Sequence, residues 1–316
     1  MNKEVIDQQA IVNAKKVIAV HALSSGCGKK LITNAQLFDE YGIVAGTVQR
    51  ALRNLIDSGA LVTVSKGHLG RIIEYIDVGL CWNLAKLNPV HLLMPHSGSV
   101  EVDTLVSIIT QQLGRLNIPY FINYAAGGAF RLNSVLSGKS DIVLTSLGVI
   151  NSHYNPVDNN TIKILNTGSY YAINRLIVVT RTLNDLFPPQ RIGIDSSSLD
   201  HLKLTQLEFP EKDGFSYVET EYRHIPVKIL KGEIDAGLWH MTSSPIPLSE
   251  AGLRGQLLSR KESLEAHDAL SAGVFIVNPH RIELSAILAK LDNKMIHELQ
   301  QKCIQKEDPL NMPFEI

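Results

Sequence analysis

A chain of 316 residues, 45% hydrophobic and 19% charged, has the make-up of an ordinary globular protein and the length for two domains, which excludes a disordered or fibrous one. The net charge of −1 excludes a uniformly basic nucleic-acid binder, yet it hides an asymmetry. Between residues 14 and 71, Lys15, Lys16, Lys29, Lys30, Arg50, Arg53, Lys66 and Arg71 stand against only Asp39, Glu40 and Asp57. That net of +5 leaves −6 for the remainder, as expected if one small module meets phosphates and the rest does something else.

The chain begins MNKEVIDQQA, without the basic-then-apolar order of a secretory signal, and no run reaches the roughly eighteen apolar residues of a membrane span. A cytoplasmic protein with no membrane contact is the expectation. In KKLITNAQLFDEYGI, Thr33 stands three residues before Gln36, the spacing at which a hydroxyl and a carboxamide satisfy each other's backbone amides. A helix over residues 34–41 follows, stopped by Gly42. In TVQRALRNLIDSGAL, residues 47–61, Val48, Ala51, Leu52 and Leu55 recur at helical spacing and leave Gln49, Arg50 and Arg53 on the other side. Gly59 ends this second helix. Two alternating runs, residues 60–64 and 71–76, then flank Lys66-Gly67-His68-Leu69-Gly70, which reads as a hairpin with a basic, glycine-rich tip. Helix, turn, helix and hairpin in that order make a winged helix-turn-helix.

The stretch GKKLITNAQLFDEYGIVAGTVQRALRNLIDSGALV with its glycine-bearing tip resembles the DNA-binding domain of GntR-type bacterial transcription regulators over about residues 5–77. The match is most specific at Thr47-Val48, Ala51-Leu52, Leu55 and Gly59. The resemblance implies that residues 1–80 bind double-stranded DNA, with the apolar side of the second helix seated on the domain. Gly46, Thr47, Gln49, Arg50 and Arg53 would then meet the major groove, where arginine reads guanine or holds phosphate and glutamine reads adenine. Lys29, Lys30 and Thr33 before the first helix, and Lys66, Gly67 and His68 at the wing, complete the expected DNA contacts. Val44, Ala45 and Gln49 stand where the family carries a capping serine, a groove-reading arginine and a second arginine, and the wing is one residue longer than the usual Gly-x-Gly. An altered base preference or a lowered DNA affinity is therefore expected. Such heads work in pairs on a near-palindromic operator, so the resemblance also implies a homodimer.

A linker is expected over residues 77–87. Beyond it, short strand-like runs alternate with helical ones, the mark of an α/β fold. VHLLM (90–94), residues 118–124 and residues 141–145 read as strands, with helices over 100–116 and 130–137 between them. The order recurs at RIGID (191–195), a helix from about 199, a strand near 217–220, a helix over 225–231 and a strand over 234–239. VLSGKSDIVLT (135–145) and ILKGEIDAGLW (229–239) share leucine, glycine, aspartate and leucine at equal spacing, so two lobes of one architecture are expected. SYYAINRLIVVTR (169–181) and AGVFIVN (272–278) are the strand-like connectors. This layout resembles the type II periplasmic-binding-protein fold, and together with the reader it resembles regulators of the YhfZ kind. The implied arrangement is a two-lobed ligand-binding domain over 88–316, with lobe 1 about 88–172 and 277–316 and lobe 2 about 178–272.

In such lobes ligands sit beyond the carboxyl ends of the strands, against helix N-termini. That rule selects Ser97, Gly98, Ser99, Gly127, Gly128, Thr145 and Ser146 from lobe 1, and Ser196, Ser197, Ser198, Trp239 and His240 from lobe 2. Hydroxyls, glycine amides, an indole and an imidazole suit a small polar, anionic effector. Cys27, Cys81 and Cys303 stand far apart with no metal-ligand spacing, and no nucleophile elbow or phosphate loop is present, so neither a metal nor a cofactor is expected. Two alternatives stay open: an enzyme built on the same two-lobed fold with an appended winged helix, and a DNA binder whose second domain only oligomerises.

Overall fold

The computed structural model describes residues 3–154, 159–172, 174–182, 189–241 and 247–306. It opens with a helix that the sequence reading lacks, α1 (Lys3–Ser25). The apolar residues of KEVIDQQAIVNAKKVIAVHALSS fall in no single stripe, because the helix is met from more than one side. Next come α2 (Asn34–Tyr41) and α3 (Ala45–Asp57). The Thr33 and Gln36 side chains cap α2 reciprocally, and Gly42 closes it in a left-handed conformation. The hairpin follows as β1 (Leu61–Ser65) and β2 (Arg71–Ile76), paired antiparallel around a short 3₁₀ turn at Gly67–Leu69. Ile18, Leu37, Val48, Ala51, Leu55, Leu61 and Ile73 fill the space between these elements.

The expected linker is instead a buried helix, α4 (Val78–Leu84), whose Asp77 cap accepts from the Leu80 amide at 2.9 Å. Trp82 is 1% exposed and carries the Arg281 guanidinium over its ring at 5.5 Å. Burial pushes the neighbouring Cys81 thiol up to about 12, which makes it a packing group. One hydrophobic core therefore runs without a break from the winged helix through α1 and α4 into the next domain. A segment of seven residues, apolar but for Asn83, has too few turns to show its helical period, so only the packing reveals it.

The first lobe contains β3 (Val90–Met94), α5 (Val100–Arg115), β4 (Tyr120–Tyr124), α6 (Gly128–Leu136), β5 (Ile142–Ser146), α7 (Leu147–His153) and β6 (Ile162–Ile164). The second contains β7 (Leu176–Arg181), β8 (Arg191–Ile194), α8 (Leu199–Glu208), β9 (Ser216–Glu219), α9 (Ile225–Lys231), β10 (Ala236–His240), β11 (Leu253–Leu257) and α10 (Lys261–Leu270). The chain then returns through β12 (Gly273–Val277), α11 (Ser285–Leu288) and α12 (Asn293–Gln305), the last packed on α5. The sheets run β4-β3-β5-β12-β6 and β11-β7-β10-β8-β9.

The two orders are equivalent. Each sheet has three parallel strands, and each borrows its fourth, antiparallel strand from a crossover: β7 pairs with β10, and β12 pairs with β5. The internal repeat has a physical cause. Gly138 and Gly232 both end a helix in the left-handed region, at φ +74° and +75°. Three residues on, Asp141 accepts from the His91 amide of β3 at 2.9 Å, and Asp235 accepts from the Arg191 amide of β8 at 2.8 Å. Each aspartate thus pins the start of its lobe's first strand, and Arg281 or Arg191 pairs with the carboxylate at 2.7 Å.

Candidate ligand cleft and nucleic-acid interface

Helix α3 divides as its spacing demands. Val48, Ala51 and Leu55 are buried and Leu52 is half-buried, while Gly46, Gln49, Arg50 and Arg53 are exposed on one face. Thr47 is a correction: it is 6% exposed, because its position one turn before Ala51 puts it on the seated side. Val44 gives α3 no side-chain cap. Lys29, Lys30, Lys66, Gly67 and His68 are exposed, and a backbone bridge from Lys30 to Ile72 holds the two basic clusters beside one another. The Thr33 hydroxyl is occupied in the cap, accepting from the Gln36 amide at 3.2 Å. Arg50 does not project freely. Its Nη1 and Nη2 donate to both oxygens of Asp7 on α1, at 2.5 and 2.7 Å, and this hydrogen-bonded charge holds the Asp7 carboxyl below its ordinary range.

Between the lobes lies a cavity of about 360 Å³ at the carboxyl ends of the parallel strands. Of the expected residues it brings together Ser97, Ser99, Gly127, Gly128, Thr145 and Ser146 from lobe 1 with Ser197, Ser198 and His240 from lobe 2. Three lie outside. The Gly98 amide turns to Asp103 at 3.1 Å, and the Ser196 amide and hydroxyl are both taken by Glu219. Trp239 packs with Ile225, Ile229 and Leu253 on the other face of the sheet, because side chains alternate along β10 and His240 takes the cleft side.

The start of α6 is the most telling part of the cleft. A Cβ on Gly128 would lie 2.7 Å from Thr145 Oγ1 and 2.6 Å from Val149, so only glycine lets the helix begin this close to the end of β5. Thr145 is fully buried, lines the cavity and has no hydrogen-bond partner for its hydroxyl among the described residues. Beside it is Arg131, 3% exposed, which gives Nε to the Leu144 carbonyl and Nη1 to the Ala125 carbonyl, both at 2.8 Å, and Nη2 to the Tyr170 hydroxyl at 2.9 Å. Among the described residues three of its five donor hydrogens are used. The sequence reading did not select Arg131. Its only signal is a cation set in the apolar face of FRLNSVL next to Leu132.

Two carboxylates that sequence reasoning missed hold the lobes together. Asp200, in the first turn of α8, accepts from the Ser146 hydroxyl and from the Tyr171 hydroxyl at 3.2 Å. Burial raises its pKa, and those two hydrogen bonds only partly offset the rise. At the hinge, Glu101 of α5 is fully buried and meets His240 Nε2 at 3.2 Å, Arg175 Nε at 3.0 Å and the Ala172 amide at 3.1 Å. Burial alone would raise the Glu101 carboxyl, but His240 and Arg175 outweigh it and hold it at about 2. His201 is a structural group: its Nδ1 accepts from the Asp195 amide, so Nε2 donates to the Leu238 carbonyl, and burial depresses its pKa. Among the described residues no group of three or more His, Cys, Asp or Glu could hold a metal ion, and no helix is long and apolar enough to cross a membrane.

Residues 77–309 match the family model of the YhfZ C-terminal domain, and residues 26–73 match a helix-turn-helix domain. A curated relative named uncharacterized protein YhfZ, from Escherichia coli strain K12, is 24% identical over 243 residues, 77% of this chain and 78% of that one. The crystal structure of YhfZ from Shigella flexneri is 21% identical, with a TM-score of 0.53 over 76% of this chain and 98% of that chain. The alkanesulfonate-binding protein SsuA from Xanthomonas axonopodis pv. citri, bound to MOPS, is 14% identical with a TM-score of 0.42 over 68% of this chain and 72% of that one.

Proposed function

The chain belongs to the YhfZ C-terminal domain family, and on that premise we propose that it is a ligand-responsive transcription regulator, with a GntR-like reader for DNA and a two-lobed sensor for a small anionic molecule. The observation that carries this reading is the joining of two half-satisfied surfaces by one core. The exposed face of α3 offers Gln49, Arg50 and Arg53, the cleft offers the Thr145 hydroxyl, and the continuous hydrophobic core makes the winged helix and lobe 1 one body. DNA binding places its work in the cytoplasm.

Lobe 1 receives the anion: the Gly128 amide at the start of α6, the Thr145 hydroxyl and the Arg131 guanidinium belong to residues that line the cavity. Closure of lobe 2 over it then moves lobe 2 against a reader fixed on lobe 1. In a homodimer on a near-palindromic operator, that motion changes the spacing of the two heads when lobe 2 takes part in the two-fold contact. The ligand shifts DNA affinity only by its preference for one lobe arrangement over the other.

Selection of bound sequences from a random DNA pool at several salt concentrations tests the reader. A two-fold-symmetric motif whose affinity falls steeply with salt is expected, and Arg50→Ala should weaken it; a pool with no enrichment overturns the assignment. For the cleft, the probe is whichever of phosphate, sulfate, small carboxylates and sugar acids raises the thermal midpoint most. Thr145→Val replaces an unpartnered buried hydroxyl by a methyl of equal size, so stability should hold while calorimetric affinity for that anion drops about tenfold, the weight of one buried charged hydrogen bond. Equal affinity in the variant would place the anion elsewhere.

A further inference from the structure

The contact of the Asp7 carboxylate of α1 with the reading helix α3 is left unexplained by packing. Residues 5–10 of α1 are all exposed, so this turn is not held by apolar burial, and yet its one acid reaches Arg50 through a two-pronged contact. A second polar contact, Lys15 Nζ to Asn54 Oδ1 at 3.4 Å, fixes α1 along α3 two turns further on. The far half of α1 is wedged between the winged helix and the sensor: Ala14, Ile18, Ala19, Ala22 and Leu23 lie in the core shared by α3 and lobe 1, and α1 also packs against residues 282–288. A helix is stiff, so the packing of this half sets where Asp7 stands.

The contact has a definite chemistry. Asp7 takes the outer edge of the guanidinium, through Nη1 and Nη2, the same pair of nitrogens that a guanine edge or two phosphate oxygens would engage end-on. We propose that Asp7 is an intramolecular competitor of DNA for Arg50, so that the reader binds below its full strength until α1 releases that arginine. This rests on the DNA-reading role assigned to α3 above.

The experiment compares wild type, Asp7→Asn, Arg50→Ala and the double variant, all full-length, on the duplex selected from the random pool and on a generic duplex of equal length. Asparagine keeps the shape and removes the charge. Asp7→Asn should bind about two- to fivefold tighter, the weight of one exposed ion pair. The log–log salt slope should steepen by about 0.9, as for one added phosphate contact. Both gains should vanish when Arg50 is alanine. If Asp7→Asn binds equally or more weakly, Asp7 orients Arg50 for DNA and the proposal falls. If the gain survives in the Arg50→Ala background, it is a long-range charge effect and the proposal falls too. If no variant binds either duplex at low salt, the DNA-reading assignment itself fails, and the competition with it.

Discussion

Glu101→Gln lowers the stability of the chain by about 3 kcal/mol at neutral pH, which in a protein of this size lowers the thermal midpoint by roughly 4–5 °C. The substitution preserves volume, so the loss is electrostatic: it leaves Arg175 and His240 buried beside a neutral amide. The size agrees with the carboxyl's fall from an ordinary 4.5 to about 2, since each pKa unit is worth roughly 1.4 kcal/mol. The sign follows from the direction. A carboxyl whose folded pKa is depressed stabilises the fold fully above its unfolded value and loses that contribution as pH falls through the folded one. The gap between wild type and variant should therefore shrink as the pH drops from 4.5 towards 2. Denaturant titrations at pH 7 and pH 3 measure it. A gap absent at neutral pH, or growing in acid, would show that the hinge does not depend on this charge. Since Glu101 is in lobe 1 and His240 ends β10 of lobe 2, the same variant should also loosen the lobes.

Gly148→Ala should force the lobes apart, and here the direction of the stability change decides the matter. Gly148 is the second residue of α7, and in an isolated helix alanine would be the better residue by about 1 kcal/mol. In this structure a Cβ at Gly148 would overlap Asp200 Oδ1 and Leu270 across the lobe boundary. Closed lobes thus turn a helix-stabilising substitution into an overpacking one, costing about 1–3 kcal/mol. The hydrogen bonds from Ser146 and Tyr171 to Asp200 should break with it. A larger radius of gyration in solution scattering, with weaker binding of the probe anion, is the expected result. A variant more stable than wild type with unchanged scattering would mean that the lobes do not meet at α7 and α8.

Much of this was legible in the chain because the signals were local. The Thr33–Gln36 cap, the period of α3, the glycine-aspartate repeat and the strand-to-helix alternation each lie within a dozen residues, and backbone geometry turns them into structure with few alternatives. The rule that ligands gather at the carboxyl ends of parallel strands led from those elements to Thr145, Gly128 and His240. It could not tell Trp239 from His240, since adjacent strand residues point to opposite faces and only the packing of α9 fixes which face is the back. Helix α1 and helix α4 escaped for a related reason: the first has no apolar stripe and the second is too short to show a period.

The sequence by itself determined the winged helix, the doubled lobe and the strand ends that line the cleft, because local periodicity, capping and turn chemistry act between near neighbours. Tertiary structure alone decided the rest. Asp7 meets Arg50 across 43 positions, Asp200 meets Ser146 across 54, and Glu101 meets His240 across 139. A charge carries no mark in the sequence of the partner it will find. That choice is made when buried apolar surface brings distant segments together, and the low polarity of the enclosed sites then gives each pairing its weight.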